Sequence, residues 1–162
     1  MTWHEQNKEF NSLISQLFQA ENWQERAEAA RKLGILKDGR AVNLMCKALK
    51  KEKDKSVCNK IVEAMGKIGN PKATIIICEY LKKELEKPEV DKFSIIYIIE
   101  SLTRLKDKRA LVYIGTFLNS DDDEIRTLAE KGFDAIEPNW REILEREIKK
   151  NKEIEEIFKI KL

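Results

Sequence analysis

Leu33-Gly34-Ile35-Leu36-Lys37-Asp38-Gly39-Arg40-Ala41 and Met65-Gly66-Lys67-Ile68-Gly69-Asn70-Pro71-Lys72-Ala73 lie 32 residues apart and follow one pattern. Each has two apolar residues three positions apart, then a polar break, then Ala. Leu102-Thr103-Arg104-Leu105-Lys106-Asp107-Lys108-Arg109-Ala110 keeps that pattern 37 residues further on, and Phe133-Asp134-Ala135-Ile136 keeps its first part after another 31. A fixed period of this length marks a chain built from tandem supersecondary units.

The spacing predicts that each unit is two helices. In the second, Val57, Ile61, Ala64, Met65 and Ile68 share one face at the helical period. Asp54 is placed to cap that helix, since its carboxylate can accept from the free amides of the first turn. Gly69-Asn70-Pro71 ends it and opens the next, with Pro71 where a missing N–H does no harm. Ala73, Ile76, Ile77, Tyr80 and Leu81 form the second stripe. The first unit repeats this with Ala30, Leu33 and Leu36, then Ala41, Leu44, Met45, Ala48 and Leu49. The third has Ile95, Ile98, Ile99, Leu102 and Leu105, then Ala110, Tyr113, Ile114, Phe117 and Leu118. The five extra residues before it, around Lys83 to Glu89, are expected to lengthen the preceding helix by about one turn.

Neither helix of a pair can bury its stripe alone, so neighbours must stack and the two ends need closing. Thr2-Trp3-His4-Glu5 has capping-box spacing ahead of the stripe Phe10, Leu13, Ile14, Leu17 and Phe18. Ile154, Ile157, Phe158 and Leu162 predict a last short helix. The expected organisation is one domain: an N-terminal cap over 1–20, repeats over 22–52, 54–88, 91–120 and 121–149, and a C-terminal cap over 150–162.

The Leu-Gly-x-Ile ending, the following Asp-x-Arg-Ala-Val and the apolar second helix resemble the HEAT-repeat family, in its short form known from phycobiliprotein lyases. Leu33-Gly34, Asp38, Arg40, Ala41 and Val42 carry the pattern; Met65-Gly66-Lys67-Ile68 and Asn70 to Ala73 vary it. Thr103 replaces the usual glycine, and the fourth unit lacks the Asp-x-Arg-Ala segment. The resemblance implies an all-α, right-handed α-α superhelix, an armadillo-type solenoid of about four hairpins. It also implies a structural ladder between neighbouring repeats from Asp38, Asn70 and Asp107 with Arg40, Lys72 and Arg109. Fold alone assigns no function.

The inventory argues against most chemistries. His4 is the single histidine, so imidazole metal sites and Ser-His or Cys-His nucleophiles have no members. Cys46, Cys58 and Cys78 show no CxxC spacing, and Cys46 and Cys78 hold equivalent places in successive second helices. Three thiols within helical patterns suit a reducing compartment, the cytoplasm. Asp121-Asp122-Asp123-Glu124 lacks the glycine turn and distal Glu of an EF-hand and fits a helix start. No apolar run approaches the ~20 residues that span a bilayer. Basic residues number 31 and acidic 29, well short of the excess a duplex binder carries. No catalytic residue, cofactor or metal is expected.

What remains are outward positions that the core does not use. Asn43, Ile75 and Val112 fall in line on the second helices, with Lys47, Glu79 and Thr116 beside them, a mixed groove for a peptide or helix. Phe93, Ile96 and Tyr97 make the first helix of the third unit apolar nearly all round, and Leu128 is the repeat equivalent of Tyr97. A terminal helix or the long connection could cover that face, or it is an interface, including one with a second copy. The expectation is a non-catalytic protein-interaction scaffold. The alternative is a DNA-binding or base-excising protein similar to the HEAT-type alkylation-repair glycosylases, using the row Arg40, Lys72 and Arg109. A chromophore-lyase auxiliary rests on resemblance alone.

Overall fold

A computed structural model describes residues 1–150 and 156–157. These residues are helical throughout apart from turns, so the all-α class expected from the periodicity is what the chain adopts. They divide into two compact units, Met1–Ala73 and Thr74–Leu162.

The first unit holds α1 (Trp3–Gln19), α2 (Trp23–Leu36), α3 (Ala41–Lys51), α4 (Lys55–Ile68) and a 3-10 turn, Pro71–Ala73. Helix α1 starts where Thr2 and Glu5 close a capping box: the Glu5 N–H donates to Thr2 Oγ1 at 3.2 Å, and the Thr2 N–H donates to Glu5 Oε2 at 2.6 Å. Its buried stripe is Phe10, Leu13 and Leu17. Asn22 caps α2 through the Gln24 N–H, and Asp54 caps α4 through those of Ser56 and Val57. Helices α2 and α4 bring Ala29, Ala30 and Leu33 together with Ile61, Val62 and Met65, all essentially without exposure. A fully buried side chain of this size contributes about 1.5–3 kcal/mol, so this interior dominates the unit's stability. The two backbones come so close that a Cβ on Gly34 would sit 2.9 Å from the Ala64 Cα.

At the open edge of the unit Arg26 of α2 forks onto Glu52 after α3, at 2.8 and 3.1 Å. Glu52 also accepts the backbone N–H groups of Lys53 and Asp54, fixing the turn into α4. Burial pushes the Glu52 carboxyl upward, but Arg26 and the Asp54 N–H outweigh it and hold it below its ordinary value.

The second unit holds α5 (Thr74–Leu85), α6 (Lys92–Leu105), α7 (Leu111–Ile114) between 3-10 turns at Lys108–Ala110 and Gly115–Phe117, α8 (Asp123–Ile136) and α9 (Trp140–Ile148). Asp91 caps α6 and Asp122 caps α8. Leu102, Ile98, Ile99, Ile114 and Phe133 are fully buried. The expected one-turn extension of the helix before the third pair is not made. Helix α5 stops at Leu85, and the remaining inserted residues form the loop to Asp91. The reason is Glu84, whose fully buried carboxylate accepts the Asp91 N–H at 3.2 Å and the Lys87 ammonium. A buried carboxylate has to be satisfied, and here the loop folds back to satisfy it.

In this unit Thr103 of α6 meets Gly132 of α8, where an added Cβ would lie 2.9 Å from Thr103 Oγ1. The glycine missing from α6 is thus supplied by its neighbour. Where the Asp-x-Arg-Ala segment is absent, the Trp140 indole N–H donates to Asp134 Oδ1 at 2.7 Å and fixes the start of α9. The helix expected over 150–162 lies mostly outside the described residues; Glu156 and Ile157 are helical and Ile157 is buried.

Lys37, Gly69 and Lys106 end α2, α4 and α6 in the left-handed region, at φ 51°, 78° and 51°. They are spaced 32 and 37 residues apart, the same steps that separate the repeated motifs. An L-residue there costs about 1 kcal/mol that glycine avoids. Lys37→Gly is expected to stabilise the chain by about 0.5 kcal/mol, and Gly69→Ala to cost about 1 kcal/mol, in urea unfolding. The lowered Glu52 value makes the pair's contribution present above the ordinary carboxyl value and lost as pH falls through the folded one. Arg26→Ala should therefore cost about 2 kcal/mol at neutral pH, with the gap to wild type narrowing as urea melts are repeated toward pH 3.

Candidate functional site

The turns between paired helices carry the most ordered charges. In the first unit the Arg40 guanidinium lies across the Asp38 carboxylate, with Nη2 2.6 Å from Oδ2, and the Arg40 backbone N–H donates to the same group. In the second, Arg109 and Asp107 repeat that geometry, again at 2.6 Å. Arg40 and Arg109 hold their aspartates below the usual carboxylate range. Asn70 accepts the Lys72 N–H at 3.0 Å. Within the turn, Arg40 and Arg109 close on the aspartates two residues before them, because that spacing lays the side chain back over its own cap. Arg40 also reaches a neighbouring helix, donating to Asn7 Oδ1 at 2.9 Å with its guanidinium 4.5 Å from the centre of the Phe10 ring.

The outward row on the second helices divides between the units. Asn43 and Lys47 are exposed on α3. Ile75 and Glu79 are exposed on α5, Thr116 is exposed, and Val112 is half-buried. The Thr116 hydroxyl is turned onto the Tyr113 carbonyl at 2.8 Å, which removes it as a free donor. Lys82 of α5 sits over the Tyr113 ring at 5.5 Å, a cation–π contact that the sequence did not single out.

Phe93 stands in the first turn of α6 with 69% of its surface exposed. Ile96, Tyr97 and Leu128 are half-buried. Lys92 joins the starts of α6 and α8 through Asp122 and Glu124, both at 2.8 Å. The aromatic ring is thus carried on a helix whose start is tied to that of α8.

Two of the thiols, Cys46 and Cys78, are poor nucleophiles. Burial pushes Cys78 up to about 12 and raises Cys46 as well, so neither forms much thiolate near neutral pH. Cys46 lies 3.8 Å from the Met65 sulfur. Among the described residues no three of His, Cys, Asp and Glu gather as metal ligands would, and no helix is long and apolar enough to cross a membrane. Sequence reasoning also missed a cleft of about 310 Å³ at the end of α1 and α3, lined by Phe18, Arg26, Lys51 and Lys53. Phe18 had been placed in the buried stripe, yet it is 38% exposed.

A family model for HEAT repeats matches residues 10–90, half of the chain. No curated protein matches. Among solved structures the chain is similar to one in the complex of CpcE and CpcF of phycocyanin lyase from Nostoc sp. PCC7120, at 19% identity and a TM-score of 0.67. The likeness covers 83% of this chain and 56% of that one, so this chain spans little more than half the length of its structural neighbour. That neighbour overturns the expectation that the chain is no enzyme. Its fold is one that a lyase complex uses. At this identity the likeness shows the fold alone and assigns no reaction. The helix pairs and the matched repeats together establish that the chain belongs to the HEAT-repeat family.

Proposed function

We propose that the chain is a protein-binding module whose partner docks on the second unit at Phe93 of α6. The observation that carries this is the exposure of that ring, 69%, at a place where the fold's own core needs nothing. Large aromatics left in water beside half-buried Ile96, Tyr97 and Leu128 are the usual anchors of protein interfaces, because burying one on binding removes a wide apolar area. Ile75, 39% exposed on α5 among Glu79, Val112 and Thr116, is the second candidate contact, suited to a peptide or helix. The structural neighbour was solved as a complex of two proteins, which agrees with a role in assembly. A second copy of the chain is one candidate partner.

Duplex binding draws less support. The guanidinium groups of Arg40 and Arg109 are already forked onto Asp38 and Asp107, so two of the three basic positions that would meet phosphates are neutralised. Three free cysteines favour the reducing environment of the cytoplasm.

Affinity capture from extracts of the source cells at native salt, read by mass spectrometry, tests the proposal. Wild-type protein should enrich a defined partner, or itself, and Phe93→Asp should cut recovery about tenfold or more with an unchanged melting temperature. Loss with Ile75→Glu alone would move the contact to the α5 face. Equal recovery with both folded variants, or no enriched partner, would refute it.

A further inference from the structure

We propose that the cleft at the end of α1 and α3 is a second binding site, for an acidic peptide segment carrying one large apolar side chain. It lies wholly within the first unit. The apolar part is Phe18, 38% exposed, over a floor of Leu17 and Ala48. Its volume of about 310 Å³ accommodates a side chain the size of Leu or Phe.

The chemistry of the rim selects the flanks. Lys51 and Lys53 line the cleft and are exposed, and among the described residues neither forms an ion pair; Lys47 and Lys50 are exposed on the preceding turn of α3. Glu52, which stands among them, is spent: its carboxylate takes the Arg26 fork and the N–H groups of Lys53 and Asp54. Arg26 is spent likewise, since it also donates to the Ala20 and Glu21 carbonyls. Asp54 is turned onto the α4 amides. The Glu21 side chain, exposed in the turn from α1 to α2, opposes the lysines in part. Cations in the last turn of a helix offset its dipole, which accounts for Lys50 and Lys51. It does not account for Lys53, beyond the helix end. Lys51 and Lys53 stand on the rim of a cleft whose floor is apolar, and carboxylates on either side of an apolar anchor complement both features. A nucleic acid would satisfy the lysines and leave the Leu17 and Ala48 floor unused.

Fluorescence anisotropy on the full chain tests this with short labelled peptides of Asp and Glu that carry a central Phe or Leu. These should bind, weaken about tenfold with a central Ser, and weaken similarly when Lys51→Glu is combined with Lys53→Glu. Raising NaCl to about 0.5 M should weaken binding further, since exposed charges are screened. Both lysines are on the surface, so the double variant should keep the wild-type circular dichroism and melting temperature. Phe93→Asp should leave peptide affinity unchanged, which separates this site from the α6 face. The proposal is overturned if Ser-centred peptides bind equally well, if the lysine variant binds as wild type, if an oligo-dT strand of equal charge binds more tightly, or if no peptide binds at about 1 mM.

Discussion

Everything in each unit is organised by how closely neighbouring first helices approach one another. Helices with bulky side chains at their crossing stay about 8–10 Å apart, and a smaller separation needs small residues facing each other. Gly34 against Ala64 meets that need in the first unit, and Gly132 against Thr103 meets it in the second. The requirement is for a small combined volume across the crossing, so either helix can supply the glycine. This is why Thr103, a departure from the family pattern, costs the fold nothing visible.

Once the first helices are set at that distance, the rest follows. Leu33, Met65, Leu102 and Phe133 are carried into the interior, and the second helices close it with residues such as Ala41 and Met45, Ala73 and Ile77, Ala110 and Ile114, and Trp140. Short turns join the two helices of a pair, held by an aspartate on its own arginine in two cases and by Trp140 on Asp134 in a third. Side chains that the crossing does not consume, among them Phe93, Ile75 and Phe18, remain available at the surface. The functional proposals rest on that remainder.

Much of this was legible in the residues. The paired stripes gave the helices, and the 32- and 37-residue steps anticipate the left-handed positions at Lys37, Gly69 and Lys106, though two of the three are not glycine. Lysine hides such a position from inspection, because it is the helix end that imposes the conformation. The loop after Leu85 was misread for a comparable reason: Glu84 reads as a surface residue of a charged helix, and only the folded chain buries it under Asp91. The Phe18 cleft was invisible since Phe18 fits the helical stripe, and exposure depends on where α3 ends. The outward positions came from the helical period, but their exposure and the closing of Arg40 and Arg109 on their own aspartates are matters of three-dimensional placement.

The most direct test of the account is a double-mutant cycle on Thr103 and Gly132, read by urea unfolding. Gly132→Ala alone should destabilise by about 2 kcal/mol, because the new methyl meets Thr103 Oγ1, and adding Thr103→Ala should recover about 1 kcal/mol or more. Strictly additive effects, or a Gly132→Ala variant as stable as wild type, would contradict the claim that close approach of the first helices governs the fold.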